Sequence, residues 1–392
     1  MKSVVHVVYD CTPGTYAGGV QKMVFELARA QRQVGANVEV WALNALRAGA
    51  TEDHDGLTVR YFMPDRFFDT AKSARLETHL RALGLGHVLH GHNSFHPLNL
   101  QVGAVARAQG WPAYYHPHGA LDPTLFQGWA FRSLKKRLYI RAFSRPNLDR
   151  ASGIFALTEL EAAQLRGLGF AAPINVLPNG VVPPPAAEVA PARRSRLAAA
   201  FRLQHGLPAS ARVLLFIGRI NPKKRVEDII AAFARLAASA PDLHLVLAGT
   251  APPAYLRALQ ALVAQAGFAH RVRWVGFLDE AAKPAAFAAA TAFVHASVSE
   301  GMALAILEAM AHGLPVVATR GCYMHAAAAA GALCECEQGP EALATALAPL
   351  FAAPPAAQAL GAAGRAYVER EHAWPTLASR CLRIYEEGLR AR

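Results

Sequence analysis

Short apolar runs rich in β-branched residues punctuate the chain, and helix-patterned stretches separate most of them. In the first half the runs are VVHVVY (4–9), NVEVWAL (37–43), LTVRYF (57–62), HVLHG (87–91), AYYHPH (113–118), GIFALT (153–158) and INVLPN (174–179). Strand alternating with helix predicts βαβ units and hence a parallel, doubly wound sheet. Five prolines then fall within fourteen residues, PNGVVPPPAAEVAP (178–191), a density that neither a helix interior nor a central strand tolerates. The alternation restarts beyond them with VLLFIGR (213–219), HLVLAGT (244–250), VRWVGF (272–277), AFVHAS (292–297) and PVVATR (315–320). The pattern therefore predicts an α/β chain with one domain over residues 1–180, a Pro-rich linker over 181–195 and a second domain over 196–375, leaving 376–392 as a terminal segment. Two Rossmann-like sheets of this kind would face a cleft lined by the carboxyl ends of their strands, where open α/β sheets bind ligands.

Composition agrees with two packed domains: of 392 residues, 53% are hydrophobic and 17% charged. No apolar run reaches the roughly 18 residues that a membrane span requires. The opening MKSVVHVVYD reads as a first strand, not a signal peptide, and five scattered cysteines do not suggest a disulfide framework. The expected location is the cytoplasm. A net charge of +12 invites anionic partners, and half of it sits in WAFRSLKKRLYIRAFSRPNLDR (129–150), with seven basic residues against one acid. There Arg132, Lys135, Lys136 and Arg137 interleave with Trp129, Phe131, Leu134, Leu138, Tyr139 and Phe143. Such a segment suits either an amphipathic helix on an anionic membrane surface, giving a peripheral place on the inner face of the cell membrane, or a solvated basic face whose aromatics pack inward. No recognisable nucleic-acid-binding module accompanies it, so nucleic acid is not an expected partner.

Candidate chemistry lies at the expected strand ends. In VLLFIGRINPKKR, Arg219 offers a planar fork and Lys224 a point charge to a diphosphate. Gly18 and Gly19 follow the first strand and allow close backbone approach before a helix, although no G-x-G-x-x-G is present. HPHGALDP (116–123) ends another strand with His116, His118 and Asp122, and HGHNSFH supplies His90, His92 and His96. A metal cluster is one interpretation, opposed by the lack of HExxH or Cys/His finger spacing, and no metal is expected. Asp53-His54-Asp55 reads as a polar hairpin turn. In SEGMALAILEAMAHGLPVV (299–317), Glu300 falls in a loop and Glu308 on a helix beginning near Met302 or Ala303. Eight residues at ~100° each leave an offset of about 80°, so both acids can face one cleft. The amides of Gly301, Met302 and Ala303 at the helix start add an anion site between them. An acid for sugar hydroxyls, amides for phosphate and an acid for ribose together suit a nucleotide-sugar.

The ordered set of GG, HGALDP, PNG, GRINPKKR, AG, VGF and SEGMALAILEAMAHGLPVV, spread over nearly the whole chain, resembles the retaining glycosyltransferases of family 4, with the GT-B fold. HGALDP followed by KKRLY further resembles bacterial members that build exopolysaccharide, capsule or lipopolysaccharide. The resemblance implies a C-terminal domain that binds a nucleotide diphosphate sugar, linked to GDP or UDP, and an N-terminal domain that binds a glycan acceptor, lipid-linked in the expected case. It also implies a final helix that crosses back to the first domain. By matching motif, Arg219 and Lys224 would hold the diphosphate, Glu300 the donor sugar and Glu308 the ribose. His118 would touch the sugar near the reacting centre, and Gly18 and Gly19 would border phosphate and acceptor. Retention would follow a front-face course with no metal or other cofactor. The chain departs from the pattern at Ala303, where relatives commonly have glycine, and in GCYMHAAAAAGA (321–332), where Tyr323 replaces the asparagine of a GCNxPE-like segment. A GT-B nucleotide-sugar epimerase and a non-catalytic nucleotide-sugar-binding protein are the alternatives.

Overall fold

The chain folds into two compact units, Met1–Gly180 with Trp374–Arg392 and Val181–Ala373. They are described from a computed structural model that covers residues 1–13, 19–67, 70–93, 96–121, 134 and 137–390. Among the described residues the first unit holds β1 (Ser3–Val8), β2 (Val38–Leu43), β3 (Thr51–His54), β4 (Leu57–Phe62), β5 (Asp65–Phe67), β6 (Thr70–Lys72), β7 (His87–His92), β8 (Ala113–His116), β9 (Gly153–Ala156) and β10 (Ile174–Val176). Eight of them form one sheet in the order β10-β9-β8-β7-β1-β2-β4-β3, and β5 and β6 form a separate antiparallel ribbon. The main sheet is parallel except at its edge, where β3 runs antiparallel to β4. β1, in mid-sheet, is buried along its whole length, as a strand covered on both faces must be.

The β3–β4 hairpin accounts for Asp53-His54-Asp55. Asp55 and Gly56 take φ of 56° and 84°, as the two-residue turns of hairpins require, and Asp53 Oδ1 accepts from Gly56 N at 3.0 Å. The terminal helix, Trp374–Arg390, belongs to this unit. Its Trp374, Leu377, Ala378, Cys381 and Tyr385 share one core with Val4, Leu27 and Val40, and Tyr114 Oη donates to the Ile384 carbonyl at 2.9 Å.

The second unit is a six-stranded, wholly parallel sheet of β11 (Arg212–Ile217), β12 (Leu243–Ala248), β13 (Val272–Gly276), β14 (Ala292–His295), β15 (Val316–Thr319) and β16 (Cys334–Cys336). Its order is β13-β12-β11-β14-β15-β16, so connections leave β11 in one direction and β14 in the other. Ligand crevices of doubly wound sheets form where the order reverses in this way. Both faces are packed, one by Leu215, Phe293 and Leu307 and the other by Leu214, Phe233 and Leu347.

The proline-dense stretch is only partly irregular. It contains a helical turn, Ala186–Val189, and the start of helix Pro191–Gln204, so helix occupies much of residues 181–195. Proline is excluded from helix interiors but is at home in the first turn, where its missing N–H has no intrahelical acceptor to lose. Val181 N donates to the His372 carbonyl at 2.9 Å, and Val181 bridges to Ala373, so the chain enters and leaves this unit side by side.

Close approach of two strand ends depends on Gly249. Its φ is 144°, and a Cβ there would lie 1.8 Å from the Gly218 carbonyl oxygen. Gly249→Ala should therefore lose about 2–4 kcal/mol in urea unfolding. Gly267→Ala, at φ 78° with open space around its Cβ, should lose only about 1–2 kcal/mol; equal losses would contradict the steric account.

Candidate active site

Four segments meet at the carboxyl edge of the second sheet. β11 runs into Gly218-Arg219, and β14 runs into the loop that carries Glu300. The loops are tied together by Val298 N, which donates to the Lys223 carbonyl at 3.0 Å. The buried Ser297 carbonyl accepts from Thr319 Oγ1 at 2.9 Å and from Gln338 Nε2 at 2.8 Å. A Cβ on Gly321 would come within 2.3 Å of the same carbonyl, so the turn after β15 fits beneath this loop only as glycine.

The structure brings Lys224, Glu300 and His295 together on this platform. Asn221 accepts from Lys223 N through its side chain and starts the 3-10 turn Pro222–Lys224. Arg225 breaks off that turn with a left-handed φ of 48° and pairs with Asp228 at 2.9 Å. The next helix therefore begins at Val226, and Lys224 is held in a turn of its own. Its ammonium pairs with Glu300 and lies 3.3 Å from His295 Nε2. Glu300 sits 3.8 Å from that nitrogen, an electrostatic contact more than a hydrogen bond. Burial pushes the Glu300 carboxyl up, but His295 and the Lys224 charge outweigh it and hold the group well below the usual carboxylate range. Burial first, then Lys224, lowers His295. A neutral His295 accepting from Lys224 at Nε2 carries its proton on Nδ1, a buried atom with no partner among the described residues.

Glu308 lies buried on helix Leu304–Ala311. Its carboxylate oxygens are 3.2 and 3.0 Å from Lys283 Nζ. Lys283 heads a separate helix, Lys283–Ala289, and no sequence signal marked it. The anion site expected at Gly301, Met302 and Ala303 needs correction, because the helix starts at Leu304. Ala303 is its cap, extended at φ −75° and ψ 109° and drawn into the core. The first-turn amides are those of Leu304, Ala305 and Ile306, and Ile306 N already donates to Ala303 O at 3.0 Å. Arg219 is exposed at the end of β11.

In the first unit, Gly19 is the exposed first residue of helix Gly19–Gln33, whereas Gly18 lies outside the described residues. So do Asp122, Arg132, Lys135 and Lys136; Arg137 is exposed. His118 follows β8 in a left-handed conformation, φ 55°. Its Nε2 is 3.1 Å from His92 Nδ1, His92 Nε2 is 2.9 Å from His6 Nδ1, and His6 Nε2 is 2.7 Å from Gln31 Oε1. His90 Nδ1 is 2.6 Å from Tyr385 Oη. His96 instead stacks on Tyr9. Burial lowers His6 to about 4 and His118 to about 3.

This fold is that of a sugar-transferring enzyme class. Residues 199–367 match the family described as glycosyl transferases group 1, and residues 18–180 match the glycosyl transferase 4-like domain. The D-inositol 3-phosphate glycosyltransferase of Thermobispora bispora is 30% identical over 96% of this chain and 92% of its own. The chain belongs to this glycosyltransferase family. The 2-deoxystreptamine glucosyltransferase of Streptomyces kanamyceticus is 38% identical, over 46% of this chain and 45% of its own. Among solved structures, sucrose-phosphate synthase from Thermosynechococcus elongatus superposes with a TM-score of 0.77 at 21% identity, covering both chains fully. Anabaena HepE in complex with UDP and glucose also gives 0.77, at 17% identity, over 99% of this chain and 100% of its own. These likenesses establish the GT-B fold.

The histidine pKa values carry a stability consequence. A histidine lowered on folding binds fewer protons in the folded state than in the unfolded one, so its contribution is complete above about pH 6.5 and is lost as pH falls toward the folded value. For His6 that window runs from the ordinary 6.5 down to about 4. The melting temperature should therefore fall between pH 6.5 and 4, and His6→Gln should flatten the slope; an identical slope in the variant would contradict the assignment.

Proposed function

We propose that the protein is a retaining glycosyltransferase that moves a hexose from a GDP- or UDP-linked sugar to a lipid-linked glycan acceptor in bacterial surface polysaccharide synthesis. The observation that carries this proposal is the Lys224–Glu300 pair beside His295, next to the crevice where strand order reverses. Family membership and a structural neighbour in complex with UDP and glucose support the donor class.

The donor diphosphate draws Lys224 and Arg219 to its oxygens, which frees Glu300 to accept hydrogen bonds from the sugar hydroxyls. Glu308 exchanges Lys283 for the ribose hydroxyls. As the glycosyl–phosphate bond loosens, charge grows on the leaving diphosphate, and cations already in place stabilise it without a metal. Glu300 is assigned to positioning the sugar, and the proton of the acceptor hydroxyl to the leaving phosphate. The first domain binds the acceptor, and its His118 is assigned to the transferred sugar.

A peripheral place on the inner membrane face has support from the basic segment, where Leu134, Leu138 and Phe143 are 58%, 64% and 53% exposed. No single helix among the described residues is long and apolar enough to cross a membrane.

A donor panel read by release of nucleoside diphosphate, with and without acceptor, tests the activity; release that acceptor does not stimulate would favour an epimerase, and donor binding with no release a non-catalytic binding protein. Glu300→Ala should reduce transfer by roughly 100-fold or more while nucleotide affinity changes only a few-fold, and normal transfer would refute the site. Neutralising Arg132, Lys135, Lys136 and Arg137 together should weaken binding to phosphatidylglycerol vesicles by at least tenfold, at ~1 kcal/mol per charge. Unchanged partitioning would remove the membrane proposal.

A further inference from the structure

Five imidazoles from three adjacent strands and the turn after them gather in the first unit, and the proposed transfer chemistry uses one of them. Register explains the gathering: His6 on β1 stands opposite His90 on β7, and His92 on β7 stands opposite His116 on β8. Residues two apart on a strand share a face, so His90 and His92 point the same way, and the turn after β8 brings His118 to them.

The donor nitrogens of His92, His116 and His118 all lie within 4.8 Å of one another. The measured His92 Nδ1 to His118 Nε2 distance is 3.1 Å. Two ligands at 2.0–2.1 Å on a tetrahedral zinc ion would stand about 3.3 Å apart. His116 is 1% exposed, and neither of its ring nitrogens has a hydrogen-bond partner among the described residues. Such orphaned groups cost about 1–3 kcal/mol each unless something binds them.

The neighbouring hydrogen bonds set the tautomer. Gln31 Oε1 can only accept, so His6 Nε2 donates to it, and His6 Nδ1 is left to accept from His92 Nε2. His92 Nδ1 then has its lone pair directed toward His118, as a metal-ligating histidine does when its other nitrogen is held by a hydrogen-bond partner.

We propose that His92, His116 and His118 form a three-histidine site for a divalent transition-metal ion, zinc in the first instance. Neutral imidazoles in a nitrogen-only set suit zinc over magnesium or calcium. Burial lowers the pKa of all three rings, which keeps them unprotonated at neutral pH. His118 is the ligand nearest solvent, half-buried where the other two are fully buried. The ion belongs to the first unit and takes no part in neutralising the donor diphosphate.

The test uses the full chain, stripped of metal and titrated with cobalt(II), and with zinc in competition with a chromophoric chelator. One ion per chain should bind, with visible cobalt bands of tetrahedral intensity and a rise in melting temperature on adding zinc. His92→Gln and His116→Gln should each weaken binding by at least about tenfold. His79→Gln, on the exposed helix Ala74–Ala82, should leave it unchanged. If a cluster variant fails to fold, the zinc-induced shift in the melting temperature of the unaltered chain decides in its place. Absence of the cobalt bands and of that shift, or unaltered affinity in a folded His116→Gln, overturns the site and leaves the imidazoles as a hydrogen-bonded relay. Loss in His6→Gln without loss in His116→Gln would place the ion among His6, His90 and His92 and overturn the ligand assignment.

Discussion

Parallel pairing of fully buried strands is the constraint on which the rest of this protein depends. A parallel neighbour can be reached only by returning through a crossover, so successive strands deliver their carboxyl ends to one edge of the sheet. In the second unit β11, β12, β14 and β15 have no strongly exposed position, and their helices cover both faces. Polar chemistry is then confined to the loops on that edge. Gly218, Gly249 and Gly321 pack those loops closely, because a side chain at 249 or 321 would strike a neighbouring carbonyl.

Electrostatics at this edge follow from desolvation. Lys224 and Glu300 have side chains only 16% and 14% exposed, above a His295 that is 1% exposed. An ion pair in such a place recovers its lost hydration incompletely, so it contributes little net stability compared with an apolar pair. Its value is that both charges are fixed before any anion or hydroxyl arrives. The same economy appears at Lys283 and Glu308, where the acid on one helix is held by a lysine heading another.

Legibility in the sequence tracked how local the signal was. β1, β2, β4 and β7 through β15 were visible because each is an apolar run of strand length between turns or helices. β3 escaped notice because TEDH is a polar edge strand with one face in solvent, and β16 because it is three residues of mixed character. Lys224 and Glu300 could be placed from their positions just past apolar runs. Their mutual pairing could not, since 76 residues separate them. Lys283 and the part of His6 in the histidine cluster were hidden for the same reason: H-x-H spacing brings His90, His92, His116 and His118 into consideration, but only strand register sets His6 opposite His90.

Tyr323 shows how a departure from the family pattern acquires a physical meaning. It closes the 3-10 turn Arg320–Cys322 at φ 55°, a left-handed conformation that asparagine adopts several-fold more readily than most residues. The turn is fixed from below, because Gly321 lies under the Ser297 carbonyl and Cys322 is fully buried. The backbone therefore keeps a shape suited to asparagine while carrying a tyrosine, at a cost of about 1–2 kcal/mol. Retention of that shape under strain means that the turn is held by the packing of Gly321 and Cys322 against the loop that carries Glu300.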